Sequence, residues 1–318
     1  MCEADSNNIV YKFFFVTLFI CAAMPVSADL INHHNKIYTI GFAQDTLAND
    51  WRKAQVDELR KQFNKHKNIR LIVTNANGNT AKQIQDIEDL AYQNVDVLIT
   101  SPRDGRASTP VISRVYKQGI PVVLITRSIT SNDFTSLIAP DDYKIASHAA
   151  KFIAAKLSGK GNVFILQGVP TASTAIARTK GFMDVIKKYP GIKVTAVKTA
   201  NYLRSDAIRV TEEAIMEKTP FDAIYSHSDS MAVGARLALV KAGIPVKDKL
   251  IVGIDYIKEA QKAIFNGEQA ASFIYPTCAK ETANIVLNIL HGIKVARKVN
   301  VASKMVTIDN VKKTAPIF

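Results

Sequence analysis

Eight short runs rich in β-branched residues recur along the chain, each followed by a stretch of helical spacing, and this alternation restricts the fold more than any other feature. The runs cover residues 37–43, 69–73, 95–99, 121–125, 162–166, 192–197, 221–225 and 250–254. They are nearly continuous in apolar character, as parallel strands covered on both faces need to be. Between them Val56, Leu59 and Phe63 stand three and four apart, as do Ile84, Ile87 and Ala91, and again Ile145, Ala149, Phe152 and Ile153. That spacing gathers apolar side chains on one helical stripe. Thr80 to Gln83 reads as a capping box, and Asn49 as the N-cap before Trp51. Gly119-Ile120-Pro121 and Gly243-Ile244-Pro245 each end a helix. The alternation predicts an α/β fold of doubly wound parallel sheets with right-handed crossovers. Four strands precede Ser136 and four follow Gly159, so two similar halves are expected, meeting near residues 139–141. No Gly/Ser-rich or Pro-rich linker separates them, which predicts a cleft with a hinge.

The first residues stand apart from this pattern. Residues 13–24 read FFFVTLFICAAM, too short to span a bilayer but suited to the core of a secretory signal. Val26-Ser27-Ala28 supplies the small residues of a cleavage site, so residues 1–28 are expected to be a signal peptide cut after Ala28. Only Lys12 balances Glu3 and Asp5, a poor start for such a signal, which leaves a start downstream of Met1 open. Cleavage removes Cys2 and Cys21 and leaves Cys278, so no internal disulfide can form and the core must hold the fold. The 318 residues carry a net charge of +13, yet no run of five basic residues occurs, which speaks against a nucleic-acid partner. Metal-ligand spacings and CxxC pairs are missing from the sequence.

In open parallel sheets, ligands meet the carboxyl ends of the strands. Those ends carry Gln44 and Asp45, Asn75 and Asn77, Ser101, Thr126 and Arg127, Gln167, residues 227–229, and Asp255. An Asp or Asn there also serves as a cap or turn former. Arg127, directly after a buried strand, is costly unless it pairs or projects into a wet cleft. Trp51, the single Trp, suits core packing and an aromatic platform equally. Dinucleotide, P-loop and hydrolase-elbow motifs are absent from the sequence. His227 flanked by Ser226 and Ser228 builds no triad, because neighbours along a strand point to opposite faces. His33-His34 reads as a solvated tail.

Several segments taken together resemble a family. They are Gly41-Phe42-Ala43-Gln44 with Asn49-Asp50-Trp51-Arg52, residues 124–129 (LITRSI), Leu166-Gln167-Gly168, residues 172–178 (ASTAIAR) with Lys180-Gly181-Phe182, and residues 226–235 (SHSDSMAVGA). In order and over nearly the whole mature chain they are similar to periplasmic sugar-binding proteins of ABC transporters, of the ribose- and galactofuranose-binding type. The resemblance implies the type I periplasmic binding protein fold: two Rossmann-like parallel-sheet domains joined by a three-strand hinge. It places residues 29–139 plus 276–300 in the N-terminal lobe and 140–275 plus 301–318 in the C-terminal lobe. The ligand contacts it implies are Gln44 or Asp45, Asn49, Trp51, Arg52, Thr126 and Arg127 from one lobe. From the other they are Arg178, Tyr202, Ser228, Asp255 and Tyr275.

Three positions depart from the family pattern. Thr126 stands where an Asp is usual, Ser228 where an Asn is usual, and Tyr275 near the place of a Gln. With one carboxylate missing, Arg52, Arg127 and Arg178 are expected to face chiefly Asp255 and also Asp45. Two ligands then stay open: an anionic sugar acid or phosphorylated molecule, and a neutral sugar with water in the Thr126 gap. The resemblance implies a monomer in the periplasm that needs no cofactor, performs no catalysis and delivers its ligand to an ABC permease. Docking on a sensor kinase or chemoreceptor is the alternative partner, and a periplasmic enzyme on the same fold is a weaker one.

Overall fold

All eight predicted runs form strands. In the computed structural model, which describes Met1 and residues 36–318, they are β1 (Tyr38–Gln44), β2 (Ile69–Asn75), β3 (Val97–Thr100) and β4 (Val122–Ile125), then β6 (Lys160–Gln167), β7 (Gly191–Thr199), β8 (Ala223–Ser226) and β9 (Leu250–Asp255). Four further strands complete the sheets: β5 (Ser136–Ala139), β10 (Ala271–Ile274), β11 (Lys298–Asn300) and β12 (Met305–Thr307). The signal peptide, the cut after Ala28 and His33-His34 lie outside the described residues.

The strands sort into two six-stranded sheets, ordered β11-β5-β4-β3-β1-β2 and β12-β10-β9-β8-β6-β7. The first sheet is parallel throughout, and in the second only the β10–β12 pair is antiparallel. Helices α1 (Asp50–Phe63), α2 (Thr80–Tyr92) and α3 (Gly105–Lys117) connect strands of the first sheet. α4 (Asp142–Lys156) leads from β5 of the first sheet to β6 of the second, where α5 (Ser173–Ile186), α6 (Arg204–Met216), α7 (Asp229–Lys241) and α8 (Lys258–Phe265) connect the strands, and α9 (Ala279–Leu290) follows β10.

The core explains which helix goes with which sheet. Ala146, Ala149 and Ile153 of α4 pack with Val163, Ile165 and Phe182 around the second sheet. Ala279, Ala283 and Val286 of α9 instead join Ile40, Phe42, Val56, Leu59 and Phe63 around the first. Leu59 is fully buried there, and truncating it to Ala is expected to destabilise the fold by about 2–5 kcal/mol. The chain therefore passes between the sheets three times, after β5, after β10 and between β11 and β12.

One helix start differs from its sequence reading. Asn49 caps α1 as expected, accepting from the Arg52 N–H at 3.2 Å. The cap of α2, however, is Asn79, whose side chain accepts from the Lys82 N–H at 3.0 Å. Asn is the better N-cap, since its oxygen reaches the free N–H groups without a β-branch. Gln83 is consequently free of any capping box. Its amide donates to the carbonyls of Ala43 and Ser101, both at 3.1 Å, and accepts from the Arg103 N–H at 2.8 Å. It ties together the carboxyl ends of β1 and β3.

Candidate ligand-binding cleft

The carboxyl ends of both sheets open on one cleft. Asp45, Thr46, Asn49, Trp51, Arg52, Thr126 and Arg127 line it from the side of the first sheet. Val169, Thr174, Arg178, Asn201, Tyr202, Ser228, Asp255 and Tyr275 line it from the other. About 470 Å³ of empty space lies among them, counting the part open to solvent. Of the ligand contacts that the resemblance implies, only Gln44 is not in the lining, and of the other strand-end residues Asn75, Asn77, Ser101, Gln167, His227 and Asp229 are not in it either. The Gln44 carboxamide turns inward, donating to Gln55 Oε1 at 3.1 Å and accepting from the Asp45 N–H at 3.0 Å. A strand residue one place before Asp45 points the opposite way, which is why only one of the pair reaches the cleft. Thr46, Val169, Thr174 and Asn201 were missed by the sequence reading, though each lies within three residues of one that was quoted.

On the first side, a fully buried carboxylate organises two guanidinium groups. Asp45 Oδ2 accepts from Arg127 Nη1 at 2.7 Å, and Asp45 Oδ1 lies 3.4 Å from Arg52 Nε. Burial raises the pKa of Asp45, but Arg127 and Arg52 outweigh it and hold the carboxyl below its usual value. Burial, with Arg127 nearby, brings Arg52 down to about 10. Arg52 Nη1 also donates to Ser101 Oγ at 2.9 Å and to Gln55 Oε1 at 3.0 Å. Asp45 Oδ1 and Arg127 Nε, both buried, have no hydrogen-bond partner among the described residues.

On the second side, Arg178 Nε donates to Asp142 Oδ1 at 2.7 Å, and the Tyr275 hydroxyl donates to Asp142 Oδ2 at 3.1 Å. The guanidinium lies over the rings of Tyr275 and Tyr202, 4.5 and 5.9 Å from their centroids. Arg178 also donates to the carbonyl of His227. That His is held neutral by burial and by Arg178, and its Nδ1 accepts from the Gly168 N–H at 3.3 Å. The expectation that the three Arg face chiefly Asp255 and also Asp45 is corrected in its first part: Arg52 and Arg127 pair with Asp45, and Arg178 pairs with Asp142, which the sequence reading did not consider, rather than with Asp255. Asp142 escaped notice because it opens a helix, where an acidic residue is ordinary.

Asp255 is left over. Its side chain is buried, and among the described residues it has no ion-pair partner. Burial pushes its carboxyl well up, with Arg178 opposing. The backbone around the cleft is strained as well, with positive φ at Thr126 (62°), Asn201 (50°), Tyr202 (62°) and Asp255 (120°). Side-chain-bearing residues rarely hold such angles, and where they do the site is often functional.

Aromatic rings complete the walls. The Trp51 indole N–H donates to the Tyr275 carbonyl at 3.0 Å, with the two ring centroids 5.6 Å apart. Tyr202 lies against Gly168, where a Cβ would come within 2.0 Å of its ring, so only glycine leaves room for this platform. The two sides also touch directly. Asn49 Nδ2 donates to the Tyr202 carbonyl at 2.5 Å, the Ser128 N–H to Ser173 Oγ at 2.9 Å, and Thr171 Oγ1 to the Arg103 carbonyl at 3.2 Å. The cleft is closed.

Two parallel-sheet α/β domains, crossed three times by the chain and shut over a polar, aromatic-walled cleft, define the type I periplasmic binding protein class. The chain belongs to the periplasmic binding protein domain family, which it matches over residues 40–292. It is 31% identical over 279 residues to the ribose import binding protein RbsB of Bacillus subtilis, covering 86% of this chain and 88% of that one. The galactofuranose-binding protein YtfQ of Escherichia coli is 30% identical, over 74% of this chain and 76% of its own. Among solved structures, a fructose-binding periplasmic domain of a hybrid two-component system superposes with a TM-score of 0.82 at 29% identity, covering 86% and 92% of the two chains. The arabinose transporter binding protein of Shewanella sp. ANA-3, bound to L-arabinofuranose, gives 0.81 at 27% identity, covering 86% and 93%.

Proposed function

We propose that this protein is a periplasmic solute-binding protein that captures an uncharged, sugar-like polyol in its closed cleft and presents it to an ABC permease, without catalysis. The observation that carries the choice of a neutral ligand is the charge pairing. Three guanidiniums meet two carboxylates, Asp45 shared by Arg52 and Arg127 and Asp142 held by Arg178, so the pairing leaves one positive charge that the buried Asp255 is placed to offset. With Asp255 counted the charges of the cleft balance, so an anion would add an unmatched charge beside a carboxyl group, whereas a hydroxyl can donate to Asp255 and accept from Arg127 Nε. Flat rings at Trp51, Tyr202 and Tyr275 suit the apolar face of a sugar ring. The relatives' names point to sugars. In this reading the lobes are residues 29–139 with 276–300 and 140–275 with 301–318, hinged at the three crossings, in a monomer exported behind a cleaved signal. A thermal-shift screen of D-ribose, D-galactose, D-fructose and xylitol against gluconate and ribose 5-phosphate tests it. Stabilisation by neutral compounds alone is expected, and stabilisation by the anions alone would overturn the neutral-ligand reading.

A sensory role is the second reading, favoured by the likeness to a periplasmic domain of a two-component system. There the closed form docks on a sensor kinase or chemoreceptor. Neighbouring genes for a permease and its ATPase, as against a sensor kinase, decide between the two partners.

A further inference from the structure

Asp229 lies fully buried beneath the cleft, in a place the ligand-binding account above does not use. It is the first residue of α7, directly after the cleft residue Ser228. Its Oδ2 accepts the Tyr256 N–H at 2.6 Å and the Ser272 hydroxyl at 2.5 Å, while Oδ1 accepts Gln269 Nε2 at 2.7 Å. Three donors from β10, from the turn before it and from the turn after β9 thus converge on one carboxylate. The sheet makes room for it at Gly253, where a Cβ would lie 1.9 Å from Asp229 Oδ1.

The peptide it holds is the one that carries Asp255. Asp255 has φ of 120° and Tyr256 has φ of 60°, two consecutive residues with side chains in backbone regions that such residues rarely occupy. Strain of this kind persists only where the surroundings over-determine it. The outer side of the turn is fixed by residues 311–318: the Tyr256 hydroxyl donates to the Thr314 carbonyl at 2.8 Å, and the Ile317 N–H donates to the Tyr256 carbonyl at 3.1 Å. On the inner side, Ser272 Oγ also lies 3.1 Å from the Tyr256 N–H, but that hydroxyl donates its own proton to Asp229. The Tyr256 N–H is therefore held on the inner side by the Asp229 carboxylate and by a hydroxyl which that carboxylate orients, while the Tyr275 N–H donates to the Asp255 carbonyl at 3.2 Å.

We propose that Asp229 is a positioning residue for the ligand: it holds the strained 255–256 turn so that the Asp255 carboxylate faces the cleft, and it acts on binding through Asp255. The inference rests on the reading of the cleft as a sugar site. Its test is a double-mutant cycle of wild type, Asp229→Asn, Asp255→Ala and the double variant, titrated calorimetrically with D-ribose, D-galactose and D-fructose. Asn keeps the shape but turns an amide toward the donors. Asp229→Asn is expected to weaken binding about tenfold or more alone, and less than about twofold once Asp255 is Ala, because coupled residues are non-additive. Equal weakening in both backgrounds, or none in either, overturns the proposal. A merely structural role would lower the melting temperature and weaken binding alike in both backgrounds. Should Asp229→Asn fold poorly, Ser272→Ala removes one link of the same chain and is expected to show the same dependence on Asp255 at smaller amplitude; equal weakening with and without the Asp255 side chain overturns the proposal there too. If no sugar binds wild type, the sugar reading falls, and a crystal structure of Asp229→Asn still decides: a 255–256 turn relaxed to negative φ supports the positioning role, and an unchanged turn overturns it.

Discussion

The two sides of the cleft treat buried carboxylates in opposite ways. On the first side one carboxylate, Asp45, serves two guanidiniums and is held below its usual pKa, the attraction of Arg127 and Arg52 outweighing burial. On the second, burial dominates: Asp142 is raised despite Arg178, Asp255 is raised well up, and Asp229 is pushed up to about 6. The first side is thus a set of guanidiniums fixed before any ligand arrives, anchored by Ser101 and Gln55, with Arg127 Nε left as a donor. The second keeps one carboxyl group, Asp255, without an ion-pair partner among the described residues and holds it on strained backbone. A hydroxyl bridges such a pair of walls, because it gives a proton to one and takes a hydrogen bond from the other.

The largest way to break this contrast is to remove the organiser of the first side. Asp45→Ala leaves Arg52 and Arg127 buried beside each other without a counter-charge. We expect a loss of about 3–5 kcal/mol in unfolding free energy by urea denaturation, the scale for breaking a buried pair. A loss below about 1 kcal/mol would mean that the two Arg are solvated and the pairing is incidental.

The pH dependence sharpens the contrast next. Asp229 rises from 3.8 to about 6 on burial, opposed by Ser272, Gln269, the Tyr256 N–H and Arg236, with Asp255 close by. A raised carboxyl means that the folded state holds the proton more tightly, so its contribution is present below 3.8 and lost as pH rises through about 6. Relative to Asp229→Asn, wild type is expected to lose up to about 3 kcal/mol from pH 4 to pH 7. Asp45 works the other way, its contribution being present above the usual carboxylate value and lost only in stronger acid. Parallel stability curves for wild type and Asp229→Asn over that window would remove Asp229 from the comparison.

The fold was legible in the sequence because β-branched runs and helical stripes are local patterns, and eight of twelve strands carry them. The four outside those eight runs are three or four residues long, as short as β3, β4 and β8, so length alone does not set them apart. The cleft was legible wherever a residue sits at the carboxyl end of a strand or in a quoted motif, as with Arg127, Asp255 and Arg178. What stayed hidden was pairing. Nothing local tells that Arg178 reaches Asp142, thirty-six residues away, or that Asp229 supports the turn after β9. Such contacts depend on how helices pack over the sheet, and that is a property of the tertiary structure alone.

Asp255→Gly separates function from strain on the second side. Losing the carboxylate is expected to weaken sugar binding by about 2 kcal/mol, the scale for a charge-assisted hydrogen bond, as calorimetry would measure. Glycine holds φ of 120° without penalty, so the same variant is expected to gain about 1 kcal/mol in stability. A variant that loses both affinity and stability would mean that the side chain anchors the fold rather than the ligand.

The smallest effect belongs to the matching strained residue on the first side. Thr126 is β-branched at φ of 62°, a conformation costing a residue with a Cβ about 1–2 kcal/mol. Its hydroxyl makes only long contacts, 3.4 Å to Arg52 Nη1 and 3.3 Å to Ser101 Oγ, so little hydrogen bonding is lost with it. Glycine there relieves the strain but gives back part of the gain through the freer unfolded chain, leaving a stabilisation of about 0.5 kcal/mol in Thr126→Gly. Because Asp45 keeps both guanidiniums in place without Thr126, affinity for a neutral sugar is expected to change less than about threefold, well below the effect at Asp255. A loss as large as that of Asp255→Gly would show that the first side also depends on strained backbone, and the contrast between the two walls would fail.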